Sequence, residues 1–378
     1  MYTVLLITNS FWNFYNFRYS LIKGLVQAKY LPVLLAPFDS YENSFRQEGI
    51  QCIDLKLDRK NRQLFKELRL VLKLIYLIKK YRPHLILSFT IKPNLYAGLV
   101  CYLVRKSFIP NVTGLGTLFQ QKTILSRLVS IFYFISFKKA CCVFFQNKND
   151  LDLFVKEGIV VTSKARLIPG SGVDLVKYKP LPISEKGFSF LFIGRFLIDK
   201  GIVEYYEAAK ILKTKYPSIE FLLLGDLDPH NERSLDRKTL NAWIQSGIVK
   251  HLGFQTDVRP YLAACSCVVL PSYYREGLSR ALLEAAGMGK PIITCDLPGC
   301  REIVEEGKNG FLCRPKDYQD LAQKMERLYL LPPAEKQKMG EASRKKAEAQ
   351  YDEKYVIQAY LDAIAEYFAS KSIQRIKP

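Results

Sequence analysis

Nine short apolar runs rich in β-branched and aromatic residues, separated by stretches of helical period, leave this chain few architectures to adopt. Five fall in the first half, at residues 3–7, 32–36, 84–89, 109–113 and 140–145, and four in the second, at 188–193, 220–224, 266–270 and 291–294. A strand that is apolar along its whole length is buried on both faces, which requires a parallel sheet covered by helices on each side. Strand and helix in repeated alternation give an α/β, doubly wound fold. Two such series predict two Rossmann-like domains, residues 1–180 and 181–352, facing a central cleft. The segment 177–186, KYKPLPISEK, carries two prolines and is the expected linker. A last helical stretch, 353–371, alternates Tyr, Ile and Leu positions; residues 353–378 are expected to pack back on the first domain. In folds of this kind ligands bind outside the carboxyl ends of the strands, so two domains facing each other suit the joining of two substrates.

Charge divides the chain at the same place. Of 56 Lys and Arg and 36 Asp and Glu, residues 1–180 hold 27 and 10, leaving 29 and 26 for the remainder. Between Glu67 and Asp150 there is no acid, but there are 13 Lys and Arg. Surfaces ordinarily mix both signs, so this half is built to meet an anion: a phosphorylated substrate, an anionic membrane or a nucleic acid. The helical segment 64–80, LFKELRLVLKLIYLIKK, interleaves cations with Leu, Ile and Tyr. Two accounts fit it: an interfacial helix whose apolar face enters the headgroup boundary, and a core-packed helix with a basic outer face. No run reaches eighteen uninterrupted apolar residues; 68–78 is too short and interrupted by Lys73, and 124–137 carries Arg127. The amino terminus lacks the basic lead and cleavage site of a signal peptide. Nine cysteines without C-x-x-C or His-paired spacing read as free thiols in a reducing cytoplasm.

Two clusters carry chemistry. The first is YYREGLSRALLEAA, residues 273–286, where Glu276 precedes Gly277 at a strand-to-helix turn and Glu284 follows eight positions later. Free N–H groups of Leu278 and Ser279 opening a helix would favour negative or hydroxyl oxygens. Glu284, two turns in, would accept paired hydroxyls such as those of a ribose. Two solvated helix acids are the competing account. The second is FLFIGRFLIDKG, where Arg195 and Lys200 follow a strand; a guanidinium fork and an ammonium point charge suit a diphosphate. Gly194 and Gly201 would permit close approach. Asp226-Leu227-Asp228 and Asp150-Leu151-Asp152 both spell D-x-D, a spacing that can chelate a metal. Because Arg195 and Lys200 already supply positive charge, both are read as incidental and no metal is expected. His84, His230 and His251 are scattered and are read as structural or exposed.

Gly194-Arg195 with Lys200-Gly201, Leu224-Gly225, Leu252-Gly253-Phe254, and Pro271-Ser272 through Glu276 and Glu284 resemble family 4 of the retaining GT-B glycosyltransferases. The run GKPIITCDLPGCREIVEEGKNGFLCRP at 289–315 extends that resemblance. NSFWNFYNFR, SFTIKPNLYAG, NVTGLGTLF and VFFQNKND resemble bacterial enzymes that extend capsular or undecaprenyl-diphosphate-linked oligosaccharides. The resemblance implies a UDP-sugar as co-substrate, with N-acetylhexosamine the first choice, and a lipid-linked glycan as acceptor. Work would be done in the cytoplasm, at the inner face of the cell membrane, with an anionic membrane surface as partner. No cofactor, metal or nucleic acid is implied. By position, Arg195 and Lys200 would hold the donor diphosphate and Glu284 the ribose. Glu276 and the backbone at Gly277, Leu278 and Ser279 would hold the sugar, and Gly253 and Phe254 would lie beside the base. Glu276, Arg195 and Lys200 would carry catalysis by positioning and by stabilising the departing diphosphate. On the acceptor side stand the loop 9–18, with Asn16 and Arg18, the stretch 90–94, with Lys92 and Asn94, and Thr113.

Two departures matter. Many relatives carry His before Gly where this chain has Thr113 before Gly114, so no general base is expected there. Retention would run by a front-face, ion-pair-like path, the leaving diphosphate taking the acceptor proton. The first loop, often Gly-Gly in relatives, here holds Phe11, Trp12, Phe14, Tyr15 and Phe17. These form either an aromatic lip for lipid or sugar, or part of the core. Two other functions remain at this point: a nucleotide-sugar 2-epimerase of the same architecture, and a non-catalytic polyanion- or membrane-binding protein.

Overall fold

The structure, a computed structural model, describes residues 1–56, 64–116, 124–181 and 187–376. It divides into two compact units: Met1–Ser171 with Glu353–Pro378, and Gly172–Asp352. The first unit is built on seven parallel strands, β1 (Thr3–Ile7), β2 (Leu31–Ala36), β3 (Gln51–Asp54), β4 (Leu85–Phe89), β5 (Phe108–Val112), β6 (Val143–Phe145) and β7 (Ala165–Leu167). Their order in the sheet is β3-β2-β1-β4-β5-β6-β7. Strand β1 shows why its sequence is apolar from Val4 onward. Leu5 and Ile7 pack in one layer with the helices Leu64–Tyr81 and Ile91–Leu103, while Val4 and Leu6 pack in the opposite layer. That second layer holds the helices Phe11–Phe17 and Tyr19–Gln27 together with the carboxyl-terminal helix Glu353–Ile376.

The carboxyl-terminal helix buries Val356, Tyr360, Ala363 and Ile364, an i, i+4, i+7, i+8 face. Its Tyr360 hydroxyl accepts a hydrogen bond from Asn111 Nδ2 at 2.8 Å, inside the core beside β5. Gly24 faces Ile357 so closely that a Cβ there would lie 2.7 Å from its Cγ2.

The second unit holds β8 (Ser189–Ile193), β9 (Glu220–Leu224), β10 (Lys250–His251), β11 (Cys267–Leu270), β12 (Ile292–Cys295) and β13 (Gly310–Cys313). All are parallel, in the order β10-β9-β8-β11-β12-β13. The unit begins at Gly172 rather than at 181. Val173 N donates to Tyr351 O, and Arg344 donates to the carbonyls of Leu175 and Tyr178, tying the connecting segment to the second unit. Of the expected linker, residues 182–186 lie outside the described residues.

The nine expected strands are present, within a few residues at their ends, and four more appear: β3, β7, β10 and β13. Each is an edge strand of its sheet. All nine cysteines are free, seven of them buried. Among the described residues, no helix is long and apolar enough to cross a membrane.

The helix Leu64–Tyr81 is packed on the core along one side. Leu70, Leu74, Leu77 and Ile78 are buried, and Lys73 Nζ donates to Asp54 O at 2.8 Å. Phe65, Leu68, Leu72 and Tyr76 nevertheless stand exposed on its outer side.

Candidate active site

In the second sheet the chain moves outward from β8 to β9 and β10, then returns to β11 on the other side of β8. In sheets of this topology ligands bind at such a switch point, outside the strands' carboxyl ends. Both chemical clusters of the sequence lie there. Arg195 is two residues past β8, and Lys200 ends a short 3-10 turn, Ile198–Lys200. Gly201 follows with φ of 76°, and a Cβ there would lie 2.1 Å from Pro271 O, so no side chain fits. The close approach that Gly201 permits is thus to the backbone after β11, not to a ligand. Tyr273 N donates to Asp199 O at 2.9 Å across the same junction.

The two cations are held by acids. Lys200 Nζ pairs with Glu276 Oε1, each side chain only 14% exposed. Ser272 Oγ donates to the same carboxylate oxygen at 3.0 Å, and the Lys200 ammonium lies 5.8 Å from the centre of the Tyr274 ring. Arg195 Nη1 donates to Asp228 Oδ2 at 2.8 Å, with the arginine side chain 56% exposed. A crossed pair, Arg233 to Asp199 at 2.7 Å, laces the β8 and β9 loops together. Asp228 is therefore a counter-ion to Arg195, and Asp226 Oδ1 accepts from the neighbouring Leu227 N at 2.7 Å. Asp150 and Asp152 belong to a helix start: Asp150 N donates to the Asn147 cap, and Asp152 pairs with Lys148. Among the described residues, no group of three or more His, Cys, Asp and Glu is placed to hold a metal ion.

The turn after Glu276 differs from the expectation. The helix is Arg280–Gly287 with Ser279 as its N-cap, so Glu284 lies one turn into it rather than two. Ser279 N donates to Gly299 O at 2.8 Å and is engaged within the fold instead of pointing at a ligand. Gly277, Leu278 and Ser279 are all buried. Gly299, at φ of 90°, makes this possible: a Cβ there would lie 2.6 Å from Glu276 O. Glu284 Oε1 accepts from Arg280 Nε at 2.8 Å. On the other flank, Gly253 O accepts from Gly225 N at 3.0 Å and Phe254 projects into solvent. His251 Nε2 lies 2.9 Å from Gly225 O, a structural role.

The acceptor-side candidates belong to the first unit. The stretch after β1 is the helix Phe11–Phe17 rather than a loop, capped by Ser10 Oγ accepting from Asn13 N at 3.1 Å. Its aromatics divide: Phe11 and Phe14 are core, Trp12 and Tyr15 exposed. Asn16 Nδ2 donates back to Trp12 O at 2.9 Å. Arg18 is buried, donates to Phe17 O, and lies 4.7 Å from the centre of the Phe89 ring. Asn94 is buried too, accepting from Ser88 Oγ and donating to Asn111 O. Both lie beside β4, held by contacts within the first unit. Lys92 pairs with Glu67 at 2.6 Å, and Thr113 is half-buried just past β5.

Sequence reasoning passed over Asp228 as a partner for Arg195, and over Ser272, Tyr274, Tyr178 and Arg280 as neighbours of the two glutamates. Asp228 left a signal in the D-x-D spelling, and Arg280 one in its i,i+4 spacing to Glu284; Tyr178 meets the glutamate through folding alone.

Comparison with solved structures places this geometry in a class. The chain superposes on Anabaena HepE in complex with UDP with a TM-score of 0.78, over 97% of this chain and 100% of that one, at 20% identity. The fold is GT-B, that of two-domain glycosyltransferases. The family model for glycosyl transferases group 1 matches residues 176–346, and that for glycosyl transferase 4-like matches residues 3–147. A relative from Campylobacter jejuni, N,N'-diacetylbacillosaminyl-diphospho-undecaprenol alpha-1,3-N-acetylgalactosaminyltransferase, is 30% identical over 92% of this chain and 94% of its own length. An Escherichia coli protein, UDP-Gal:alpha-D-GlcNAc-diphosphoundecaprenol alpha-1,3-galactosyltransferase, is 25% identical over 68% and 69%. The chain belongs to the group 1 glycosyltransferases and is an enzyme of that class, which sets aside the epimerase and non-catalytic readings.

Proposed function

We propose that this enzyme transfers a sugar, N-acetylhexosamine first, from a UDP-sugar to an undecaprenyl-diphosphate-linked glycan, with retention, in surface polysaccharide assembly. The observation that carries the donor half is the Lys200–Glu276 pair at the β8/β11 switch point, flanked by Arg195 and Glu284. In this reading the cations would serve the phosphates and the carboxylates the hydroxyls of the donor. The lipid-linked acceptor is supported by two undecaprenol-linked relatives, whose names also specify an alpha linkage; the N-acetylhexosamine is supported by the first alone, the second being a galactosyltransferase. An α-configured nucleotide sugar that yields an α product has reacted with retention.

Arg195 and Lys200 would trade their acids for the diphosphate as it binds and then stabilise the charge that develops on departure. With two fixed cations available to the diphosphate, the reading requires no metal. The membrane half rests on the outer side of the helix Leu64–Tyr81. Phe65, Leu68, Leu72 and Tyr76, spaced three and four apart, form one exposed apolar stripe bordered by the exposed cations Lys79 and Lys80. The helix Ile124–Phe137 likewise exposes Leu128, Ile131 and Phe134. Apolar side chains with flanking Lys and Arg suit an anionic headgroup boundary.

A panel of UDP-sugars, offered with an undecaprenyl-diphosphate-linked acceptor and read by product mass and anomeric coupling, tests the reading. One UDP-sugar is expected to yield a lipid-linked α product. Transfer only to soluble sugars, or a β product, would overturn it.

A further inference from the structure

The connecting segment, which the sequence assigned to a linker, reaches the helix that carries Glu284. Tyr178 is buried against that helix, and Gly287 is packed so tightly on it that a Cβ there would lie 3.3 Å from Tyr178 Cβ. Arg344 clamps the arrangement, its Nη1 donating to Tyr178 O and to Gly287 O, both at 2.7 Å. Arg280 completes it. Its Nε donates to Glu284 Oε1 at 2.8 Å, its Nη1 donates to Gly172 O at 2.6 Å, and its guanidinium carbon lies 5.8 Å from the centre of the Tyr178 ring. Both ends of the guanidinium are thus spoken for, one by the glutamate and one by the backbone where the segment begins.

We infer that Arg280 and Tyr178 are positioning residues for Glu284: anchored by the connecting segment, they hold one carboxylate edge so that the other is aimed at the ribose hydroxyls of the donor. This rests on the donor-site reading above. A carboxylate has about four lone-pair directions, so engaging Oε1 with Arg280 leaves room for hydroxyl donors on Oε2. Fixing the rotamer in advance removes an ordering cost that binding would otherwise carry. Burial and the Glu284 charge raise the Tyr178 phenol above its ordinary range, so it stays protonated and keeps a hydrogen to give the carboxylate.

The test compares UDP with 2′,3′-dideoxy-UDP, which lacks the ribose hydroxyls, by calorimetry on the full chain. In the wild type UDP is expected to bind at least about tenfold more tightly, the worth of one good hydrogen bond to a charged group. Glu284→Gln should collapse that ratio. Tyr178→Phe, which removes one oxygen and keeps the ring, and Arg280→Gln should each lower it by roughly three- to tenfold. Affinity for dideoxy-UDP should change little, and Arg280→Lys should restore part of the loss. Melting temperatures identify any variant that fails to fold, and Tyr178→Phe is the one least exposed to that failure. A ratio lost in Glu284→Gln but intact in folded Tyr178→Phe and Arg280→Gln overturns the bracing and leaves the donor site standing. A ratio unchanged in Glu284→Gln overturns both.

Discussion

Alanine at Arg195 and at Lys200, made singly, separates two things that each cation does. Arg195 is 56% exposed, and its bridge to Asp228 lies largely in water. Ion pairs of that kind contribute about 0–1 kcal/mol, so the guanidinium can turn to a phosphate at little cost. Losing a charge-assisted hydrogen bond to the diphosphate costs about 1.5–3 kcal/mol, or roughly 10- to 150-fold in the UDP dissociation constant. Lys200 stands differently, because its ammonium and the Glu276 carboxylate are each only 14% exposed. Its removal leaves a mostly buried carboxylate, with Ser272 Oγ still donating to it. Breaking a fully buried pair costs about 3–5 kcal/mol; with water still reaching both groups, roughly 1–3 kcal/mol of folding stability is expected to go. Arg195→Ala should therefore lose UDP affinity with its stability intact, while Lys200→Ala should lose both. Calorimetry with UDP and denaturant titration of the same preparations make the comparison. Unchanged UDP affinity in both variants refutes the donor-site assignment, and equal stability losses refute the exposure argument.

Glu276→Gln is expected to keep UDP affinity and lose turnover, whereas Glu284→Gln loses UDP affinity; small, equal effects in steady-state kinetics and calorimetry would leave both as structural ion-pair partners of Lys200 and Arg280. Activity should persist in excess EDTA, and complete loss restored by Mn²⁺ or Mg²⁺ would bring Asp226 and Asp228 back as metal ligands. Tyr360→Phe deprives the buried Asn111 amide of its acceptor and should cost about 1–3 kcal/mol in denaturant unfolding, against no change if the carboxyl-terminal helix does not dock in solution. Sedimentation with anionic vesicles is expected at low salt and release at high salt, since the attraction is screened within about 8 Å at physiological ionic strength. Charge reversal at Lys79, Lys80 and Arg82, or Leu68→Ser with Leu72→Ser, should weaken that binding without altering UDP affinity; wild-type protein that ignores the vesicles at every salt concentration ends the membrane reading.

What the sequence determined by itself is the part of this protein in which one residue's environment follows from its neighbours along the chain. Central strands such as 188–193 and 266–270 are covered on both faces, so nearly every position is apolar, and that signature survives without any partner in view. Edge strands escape it. Gln51–Asp54 and Lys250–His251 are paired on one side only and partly exposed, and their composition reads as loop. The clustering of Arg195, Lys200 and Glu276 was legible for the same local reason: each follows a strand end, and strand ends converge at a switch point.

The partners were not legible, because they meet across the fold. Lys200 and Glu276 are 76 positions apart, and Arg195 and Asp228 33 apart. A sequence states the charges without stating which of them neutralise one another. Burial likewise turned Arg18 and Asn94 inward, although both lie in segments that resemble acceptor-side motifs. Tertiary structure alone drew the boundary at Gly172, since residues 172–181 join the second unit once Arg280 finds the carbonyl of Gly172 and Arg344 those of Leu175 and Tyr178. Backbone carbonyls are the same in every residue, and only folding decides which of them a distant arginine can reach.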